Sequence, residues 1–279
     1  MNEIGFVGLI LIAITLVVSY KGLKDKLFFE NNKFEVDRIL IHKEYKRLVT
    51  SGFLHLSWSH LFFNMFSLFA FSFSLESYLG SVYFLIIYFA SLIGGDLLAL
   101  FVHRNHGDYS AVGASGAVCG IIFASIALFP DMGIGFFILP FFIPSWLYGI
   151  LYIGYTMYGI KSNRDSIGHE AHLGGALVGM LVAILLQPRA LLENYVVILL
   201  IAVPTIVFIL LIIKRPQILI IGGALTKPAT PYFDIDHKYN EQKAIQQKEI
   251  DRILDKINSK GIDSLTKKEK EQLDAFSKK

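Results

Sequence analysis

The sequence contains little charge and almost no cysteine, which excludes several classes of protein. Only 18% of the 279 residues are charged, whereas 54% are hydrophobic and 14% are aromatic. A soluble domain of this length usually carries more charge and fewer apolar residues. The single cysteine, Cys119, excludes an internal disulfide and a Cys-x-x-Cys metal or redox site. Because Cys119 lies within an apolar run, we expect it to be a small buried packing residue.

The hydrophobic residues are concentrated in long runs without a helical or strand period, which indicates membrane spans. A bilayer core about 30 Å thick needs roughly 20 mostly apolar residues for each helical crossing. The runs are Ile4–Tyr20, Leu56–Glu76, Val82–Val102, Ala114–Phe129, Ile134–Ile160, Ala171–Gln187 and Tyr195–Ile213. The first run lacks the flanking signals of a cleaved signal peptide, so we expect it to be a retained span. The predicted fold class is all-α, a polytopic membrane helix bundle of six core helices plus an extra C-terminal span.

Two segments outside these runs are more polar. Residues 21–55 mix charged and apolar side chains, which predicts a folded element at the membrane surface, with a disordered loop as the alternative. Residues 228–279 predict a small soluble helical hairpin. Four of its apolar residues share one helical face, namely Ile250, Ile253, Leu254 and Ile257. Thr266–Glu269 has the pattern of a capping box that opens a second helix. The hairpin is too small to bury much apolar area alone, so we expect it to dock on the bundle, a partner or another copy.

Strongly polar residues inside membrane spans are costly, and each is therefore a functional candidate. The second run carries His60 and Asn64, four residues apart and on one helical face. The fourth run begins at Gly113–Gly116, which includes Ser115, and the sixth begins with His172 in its first turn. Because these three spans cross the membrane in the same direction, we expect all four polar side chains at a similar depth near one face.

These residue types suit nucleophilic catalysis. The Ser115 hydroxyl becomes a strong nucleophile when a base takes its proton, and His172 can act as that base near neutral pH. His60, the Asn64 amide and the backbone N–H of Ser115 are suitable donors to an oxyanion. Glu170 lies two residues from His172 and points elsewhere on a helix, so we predict a Ser–His dyad without a carboxylate.

Each of these residues also has a structural explanation when it is taken alone. The glycines around Ser115 fit the small-xxx-small pattern that lets helices approach closely. His60 and Asn64 fit an interhelical hydrogen-bonding pair, and His172 fits a polar residue at the membrane interface. Only the combination of residue types and depth favours a shared catalytic site.

A series of motifs follows between Arg47 and Gln187. They are Arg47 in the first loop, His60-x-x-x-Asn64, Gly113-x-Ser115-Gly116, Ala171-His172-x-x-Gly175-x-x-x-Gly179, and Glu76 with Gly80 after the second span. This stretch, about half of the chain, strongly resembles the rhomboid family of intramembrane serine proteases. Two positions depart from the family pattern: Lys46 stands where Trp is frequent, and Cys119 where a Tyr often stacks on the catalytic histidine. At Cys119, that stacking is either absent or supplied by another ring.

The resemblance implies that Ser115 is the nucleophile and His172 the base. The implied oxyanion and support residues are His60, Asn64 and Gly113, and the implied packing residues are Gly116, Gly175, Gly179, Arg47 and Glu76. The implied function is cleavage of single-span membrane proteins in or near their transmembrane segment, with no metal or cofactor. The alternatives are a catalytically silent rhomboid-like factor that binds or escorts membrane proteins, and a transporter or channel lined by the polar residues.

The change in composition near Pro228, together with the resemblance, divides the chain and suggests its surroundings. Residues 1–190 would form the rhomboid-like protease core, 191–227 an additional hydrophobic segment and 228–279 the soluble tail. We expect transmembrane protein substrates, the lipid bilayer and self-association or docking through the tail as partners, and no nucleic acid. The expected location is a bacterial inner or plasma membrane.

Loop residues 103–112 or a partner's tail are candidates to cap the site. His103 and His106 in that loop have the spacing of a metal pair, but we expect solvated histidines.

Overall fold

The computed structural model describes residues 6–135, 142–162 and 168–214, together with six residues of the tail. Those six are Ile253, Lys256, Ile257, Leu265, Thr266 and Glu269. The chain divides into two compact units, Met1–Ala224 and Leu225–Lys279. The finer division at residues 190 and 227 stays a prediction.

The described part of the first unit is built mainly of helices. In chain order they are α1 Val7–Lys24, α2 Lys26–Asn32, α3 Val36–Leu40, α4 Arg47–Thr50, α5 Trp58–Leu79, α6 Ser81–Val102, α7 Ser115–Leu128, α8 Ser145–Ser162, α9 His169–Leu186, α10 Arg189–Glu193 and α11 Tyr195–Lys214. The short strands are β1 Phe34–Glu35, β2 Ser110–Ala111, β3 Gly133–Gly135 and β4 Phe142–Pro144, and a single 3₁₀ turn covers Ser51–Phe53.

The predicted all-α polytopic bundle is confirmed, since each of the seven apolar runs overlaps one of the longer helices. Within the described residues, four helices, α1, α6, α9 and α11, are long and apolar enough to cross a bilayer by length and composition. The central helix α7 is shorter, at 14 residues, and equally apolar in character. The last apolar run forms the single helix α11, which continues through Pro204.

The fifth run differs from a plain helical span. It opens with strands β3 and β4, which pair antiparallel with Ile134 opposite Ile143, and residues 136–141 between them lie outside the described part. Helix α8 begins only at Ser145, directly after Pro144. Proline has no backbone N–H to donate and disfavours helix in the residue before it, so the helix starts after Pro144.

Helix α7 lies at the centre of the bundle, and every residue from Gly116 to Ala127 is buried. It packs against α5, α6, α8 and α9. The approach of α9 to α7 requires glycine: a methyl group added to Gly175 would overlap the carbonyl oxygen of Gly116, and one added to Gly179 that of Gly120. Such close contact between small residues is how helices associate in lipid.

Residues 21–55 are folded, so the alternative of a disordered loop is wrong. They form α2, β1, α3, α4 and the 3₁₀ turn. The Arg47 side chain is buried, donates to the carbonyl oxygens of Glu30 and Lys33 at 2.8 and 2.7 Å, and pairs with Glu44 at 2.7 Å. Arg47 therefore ties this segment together, because burial of a charge requires partners.

Glu76, near the end of α5, is buried and holds the start of α1. Its carboxylate accepts hydrogen bonds from the backbone N–H groups of Val7 and Gly8 at 3.0 Å each. It also accepts one from the Ser81 hydroxyl at 2.6 Å. An acidic group at a helix N-terminus pairs with the free N–H groups and interacts favourably with the positive end of the helix dipole.

In the second unit, the predicted capping box is confirmed. The Thr266 N–H donates to the Glu269 carboxylate at 2.8 Å, and the Glu269 N–H donates to the Thr266 hydroxyl at 3.3 Å. Ile253 and Leu265 are buried together. The rest of the predicted hairpin, including Ile250 and Leu254, lies outside the described residues.

Candidate active site

Ser115 and His172 lie in the first turns of α7 and α9, at the same end of two helices in close contact. The His172 Nε2 atom is 2.7 Å from the Ser115 Oγ atom, and His172 is 8% exposed. The two side chains come from positions 57 residues apart. The glycine contacts between α7 and α9 bring them within hydrogen-bonding distance.

Gly113 and His60 both lie beside the Ser115 hydroxyl. Gly113 has φ +133°, a conformation that side chains other than glycine rarely adopt. A methyl group on it would lie 2.9 Å from His60 Cε1, 3.0 Å from His60 Nε2 and 3.7 Å from Ser115 Oγ. The Gly113 N–H donates to the Ser51 carbonyl oxygen at 3.0 Å, so it is already paired. The donors left for an oxyanion here are the His60 ring and the backbone N–H at the start of α7.

His60 and Asn64 lie on one face of α5, as their spacing predicts. Ser57 caps this helix by accepting from the His60 N–H at 3.2 Å, which places His60 in the first turn. The Asn64 amide donates to the His60 carbonyl oxygen at 3.0 Å. Asn64 therefore lies one turn further along the helix than His60, and its amide is engaged by the backbone of α5.

His55, in the loop before α5, is part of the site region and was not predicted from the sequence. Its Nδ1 atom is 2.8 Å from the Ser19 hydroxyl, which itself donates to the Phe53 carbonyl oxygen. Its Nε2 atom accepts from the Ala114 N–H at 3.4 Å. Burial, with a smaller contribution from nearby His60, lowers the pKa of His55 to about 3. A neutral ring is what these contacts need, because Nε2 must accept.

Tyr152 is a second residue that sequence reasoning missed. Its hydroxyl oxygen lies 3.0 Å from His172 Nδ1 and 3.0 Å from Cys119 Sγ. The rings of Tyr152 and His172 are 6.2 Å apart at 30°. A ring from α8 thus stands beside the histidine where the family pattern has a tyrosine at position 119. The available signal was the row of tyrosines at helical spacing in the fifth run, Tyr148, Tyr152 and Tyr155.

The loop after α6 is held by hydrogen bonds and ring contacts to neighbouring segments. β2 in this loop pairs antiparallel with β1, and the Tyr109 carbonyl oxygen accepts from the Val36 N–H. The His103 ring stacks on Tyr109 at 3.6 Å and 6°, and its Nε2 atom is 3.4 Å from a Glu170 carboxylate oxygen. The expectation of a solvated loop histidine is therefore wrong for His103. Within the part of the chain that the structure describes, no three His, Cys, Asp or Glu side chains are grouped to hold a metal ion.

Comparison with known protein families shows which family this chain belongs to. The model of the rhomboid domain matches residues 42–189, just over half of the chain and all of the motifs from Arg47 to Gly179. The chain belongs to the rhomboid family. This family generally comprises intramembrane serine proteases, and some of its members are inactive. Residues 233–279 match a second family, DUF6576, of unknown function.

Similar rhomboids occur in plants, fungi and bacteria. RHOMBOID-like protein 12, mitochondrial, of Arabidopsis thaliana is 29% identical over 61% of this chain and 55% of its own length. Rhomboid protein 1, mitochondrial, of Saccharomyces cerevisiae is 31% identical over 51% of this chain and 43% of its own length. The rhomboid YdcA of Bacillus subtilis is 35% identical over 51% of this chain and 67% of its own length. The match thus spans about half the length of the first two rhomboids.

Proposed function

We propose that this rhomboid is an intramembrane serine endopeptidase that cleaves single-span membrane proteins in or near their transmembrane segment. Ser115 is the nucleophile and His172 the general base. The observation that carries the proposal is the 2.7 Å contact between Ser115 Oγ and His172 Nε2 at the start of two adjoining helices. Nucleophile and base within hydrogen-bonding reach are the geometric signature of this chemistry.

The catalytic steps follow from the positions of these groups. His172 takes the Ser115 proton as the hydroxyl attacks the peptide carbonyl, and later returns that proton to the leaving amine. The His60 ring and the N–H groups at the start of α7 stabilise the negative charge on the carbonyl oxygen. The dipole of α7 has its positive end at Ser115, which favours the same charge. Asn64 supports His60 from one turn away through the backbone bond.

The substrate must expose its backbone before the Ser115 hydroxyl can reach it. A peptide bond inside a helix in lipid has its N–H and C=O groups paired within the helix. We therefore expect cleavage near glycine and other small residues, where a helix opens most easily. Water needed for hydrolysis of the acyl-enzyme reaches Ser115 from the membrane face at which α7 and α9 begin.

The location and the tail are part of the same proposal. We place the chain in a bacterial inner or plasma membrane, in keeping with its similarity to the Bacillus subtilis rhomboid. The core, residues 1–190, carries out the reaction, and the segment 191–227 adds one further crossing through α11. The tail, residues 228–279, serves docking or self-association, because a unit of this size buries little apolar area alone.

The test is cleavage of a single-span model substrate by the purified protein in liposomes. Wild-type protein should cleave the substrate, and Ser115→Ala and His172→Ala should each lower the rate by at least about a thousandfold. The matched controls are Ser125→Ala, which removes another hydroxyl of α7, and His106→Ala in an exposed loop. Both controls should cleave like wild type.

The same experiment separates the protease from a silent escort factor. If wild type and Ser115→Ala bind several membrane substrates equally and cleave none of them, the chain is a binding factor and the proposal fails. Cleavage that persists in Ser115→Ala would assign the nucleophile to another residue.

A further inference from the structure

A continuous line of polar contacts leads away from Ser115 through His172. His172 Nε2 lies 2.7 Å from Ser115 Oγ, and His172 Nδ1 lies 3.0 Å from the Tyr152 hydroxyl oxygen. That oxygen lies 3.0 Å from the sulfur of Cys119, which is 2% exposed. Cys119 and Ser115 are one turn apart on α7, so the line begins and ends on the same helix.

The direction of the hydrogens along this line decides whether His172 can act as a base. A neutral imidazole carries one hydrogen, and Nε2 accepts the serine proton only when that hydrogen is on Nδ1. Nδ1–H then needs an acceptor, and the Tyr152 oxygen is placed to be one. The Tyr152 hydroxyl has one hydrogen to donate, and the Cys119 sulfur is placed to accept that hydrogen bond.

If the hydrogens point the other way along this line, His172 is in the tautomer that cannot act as a base. If Tyr152 donated its hydrogen to Nδ1, the imidazole hydrogen would lie on Nε2 and point at the serine oxygen. Nothing in the tyrosine itself prevents this, since a phenol both donates and accepts. An acceptor for the phenol hydrogen beyond Tyr152 is what favours the productive direction.

We infer that Cys119 and Tyr152 are positioning residues that select the Nδ1–H form of His172. The Cys119 sulfur accepts a hydrogen bond from the phenol O–H, and the phenol oxygen accepts one from the imidazole Nδ1–H. When His172 becomes an imidazolium, the same oxygen still accepts from Nδ1. The effect on the rate rests on the proposed function, whereas the position of the hydrogen can be measured without any substrate.

The direct measurement is nitrogen NMR of histidine-labelled full-length protein in micelles at about pH 8, where histidines are neutral. The His172 signals are identified by their loss in His172→Ala. In wild type the hydrogen should lie on Nδ1. In Cys119→Ala, Tyr152 donates to Nδ1 and the hydrogen should move to Nε2. Cys119→Ser keeps an acceptor and should restore the wild-type spectrum. Tyr148→Phe, which removes a neighbouring phenol of α8, is the control and should change nothing.

Kinetics give the second readout. Cys119→Ala and Tyr152→Phe should lower kcat by about ten- to a hundredfold, with KM changed by less than about twofold. Cys119→Ser and Tyr148→Phe should retain the wild-type rate. A general packing defect would lower the unfolding temperature of Cys119→Ala without moving the imidazole hydrogen.

Two results would overturn the inference: a wild-type His172 with its hydrogen on Nε2, or a Cys119→Ala spectrum with the hydrogen still on Nδ1. If wild type cleaves no substrate, the proposed function fails instead, and the NMR result still decides the role of Cys119 and Tyr152.

Discussion

At the scale of single residues, the site region uses two histidines in different ways. His172 presents Nε2 to the Ser115 hydroxyl, and its other nitrogen meets Tyr152. His55 instead links α1 to the backbone that precedes the serine, through Ser19 on one side and the Ala114 N–H on the other. The first ring is placed for proton transfer, and the second holds the loop from which α7 begins.

Gly113 should tolerate no side chain. Gly113→Ala combines an unfavourable φ with a methyl group against the His60 ring, so we expect the cleavage rate to fall by about tenfold or more. Steady-state kinetics with the model substrate measure this. Gly154→Ala, where an added methyl group meets nothing within 4 Å, is the control. A Gly113→Ala protein with the wild-type rate would remove Gly113 and His60 from the oxyanion site.

The stability of the folded chain should depend on pH through His55. Its pKa is about 3 when folded, against about 6.5 for an exposed histidine, so the unfolded chain binds more protons between these values. The free energy of unfolding should therefore fall as pH decreases from about 6.5, by up to about 1.4 kcal/mol per pH unit from this residue. Thermal unfolding in detergent measures it.

His55→Gln keeps a donor and an acceptor but does not titrate, so its unfolding temperature should depend less steeply on pH than that of wild type. His106→Gln, in an exposed loop, should keep the wild-type slope. Equal slopes for wild type and His55→Gln would show that His55 is not buried as a neutral ring.

The residues that the sequence predicted are those with a local pattern. His60 and Asn64 are four apart, and Ser115 and His172 each open an apolar run, so their depth follows from counting spans. Tyr152 and His55 have no such pattern. Tyr152 contacts His172 because of how α8 packs against α9. His55 contacts Ala114 because of the path of the loop before α5. Both depend on packing between distant segments.

At the scale of elements, the contact of α7 with α9 determines the distance between the serine and the histidine. Glycines on both helices allow it, and the spacing of Gly175 and Gly179 predicted this face from the sequence. The strands β3 and β4 could not be predicted in the same way. Their residues are as apolar as a span, and only Pro140 and Pro144 indicated an interruption.

Gly179→Leu should separate α7 from α9. A leucine there would overlap the backbone of Gly120, and overpacking of this kind costs about 1–3 kcal/mol. We expect a lower unfolding temperature and a large loss of cleavage, because His172 moves away from Ser115. Gly154→Leu in α8 introduces the same side chain at an exposed position and should change neither quantity. A fully active Gly179→Leu protein would contradict the role of this helix contact.

At the scale of the whole molecule, the chain combines a rhomboid bundle with a second compact unit that has its own capping box. The sequence predicts a boundary at residue 228, after the long apolar runs have ended and where the polar tail begins, and this boundary stays a prediction. Removal of residues 225–279 should leave the cleavage rate in liposomes unchanged, because Ser115 and His172 both lie in the first unit. A truncated protein that is folded but inactive would show that the tail contributes to the reaction.

Covalent labelling with a fluorophosphonate shows whether His172 activates Ser115, and it requires no known substrate. Mass spectrometry of the labelled wild-type protein should find the adduct on Ser115, and Ser125→Ala should be labelled to the same extent. Folded His172→Ala protein should remain unlabelled. Wild-type protein without an adduct on Ser115, or His172→Ala labelled as fast as wild type, would show that His172 does not activate Ser115.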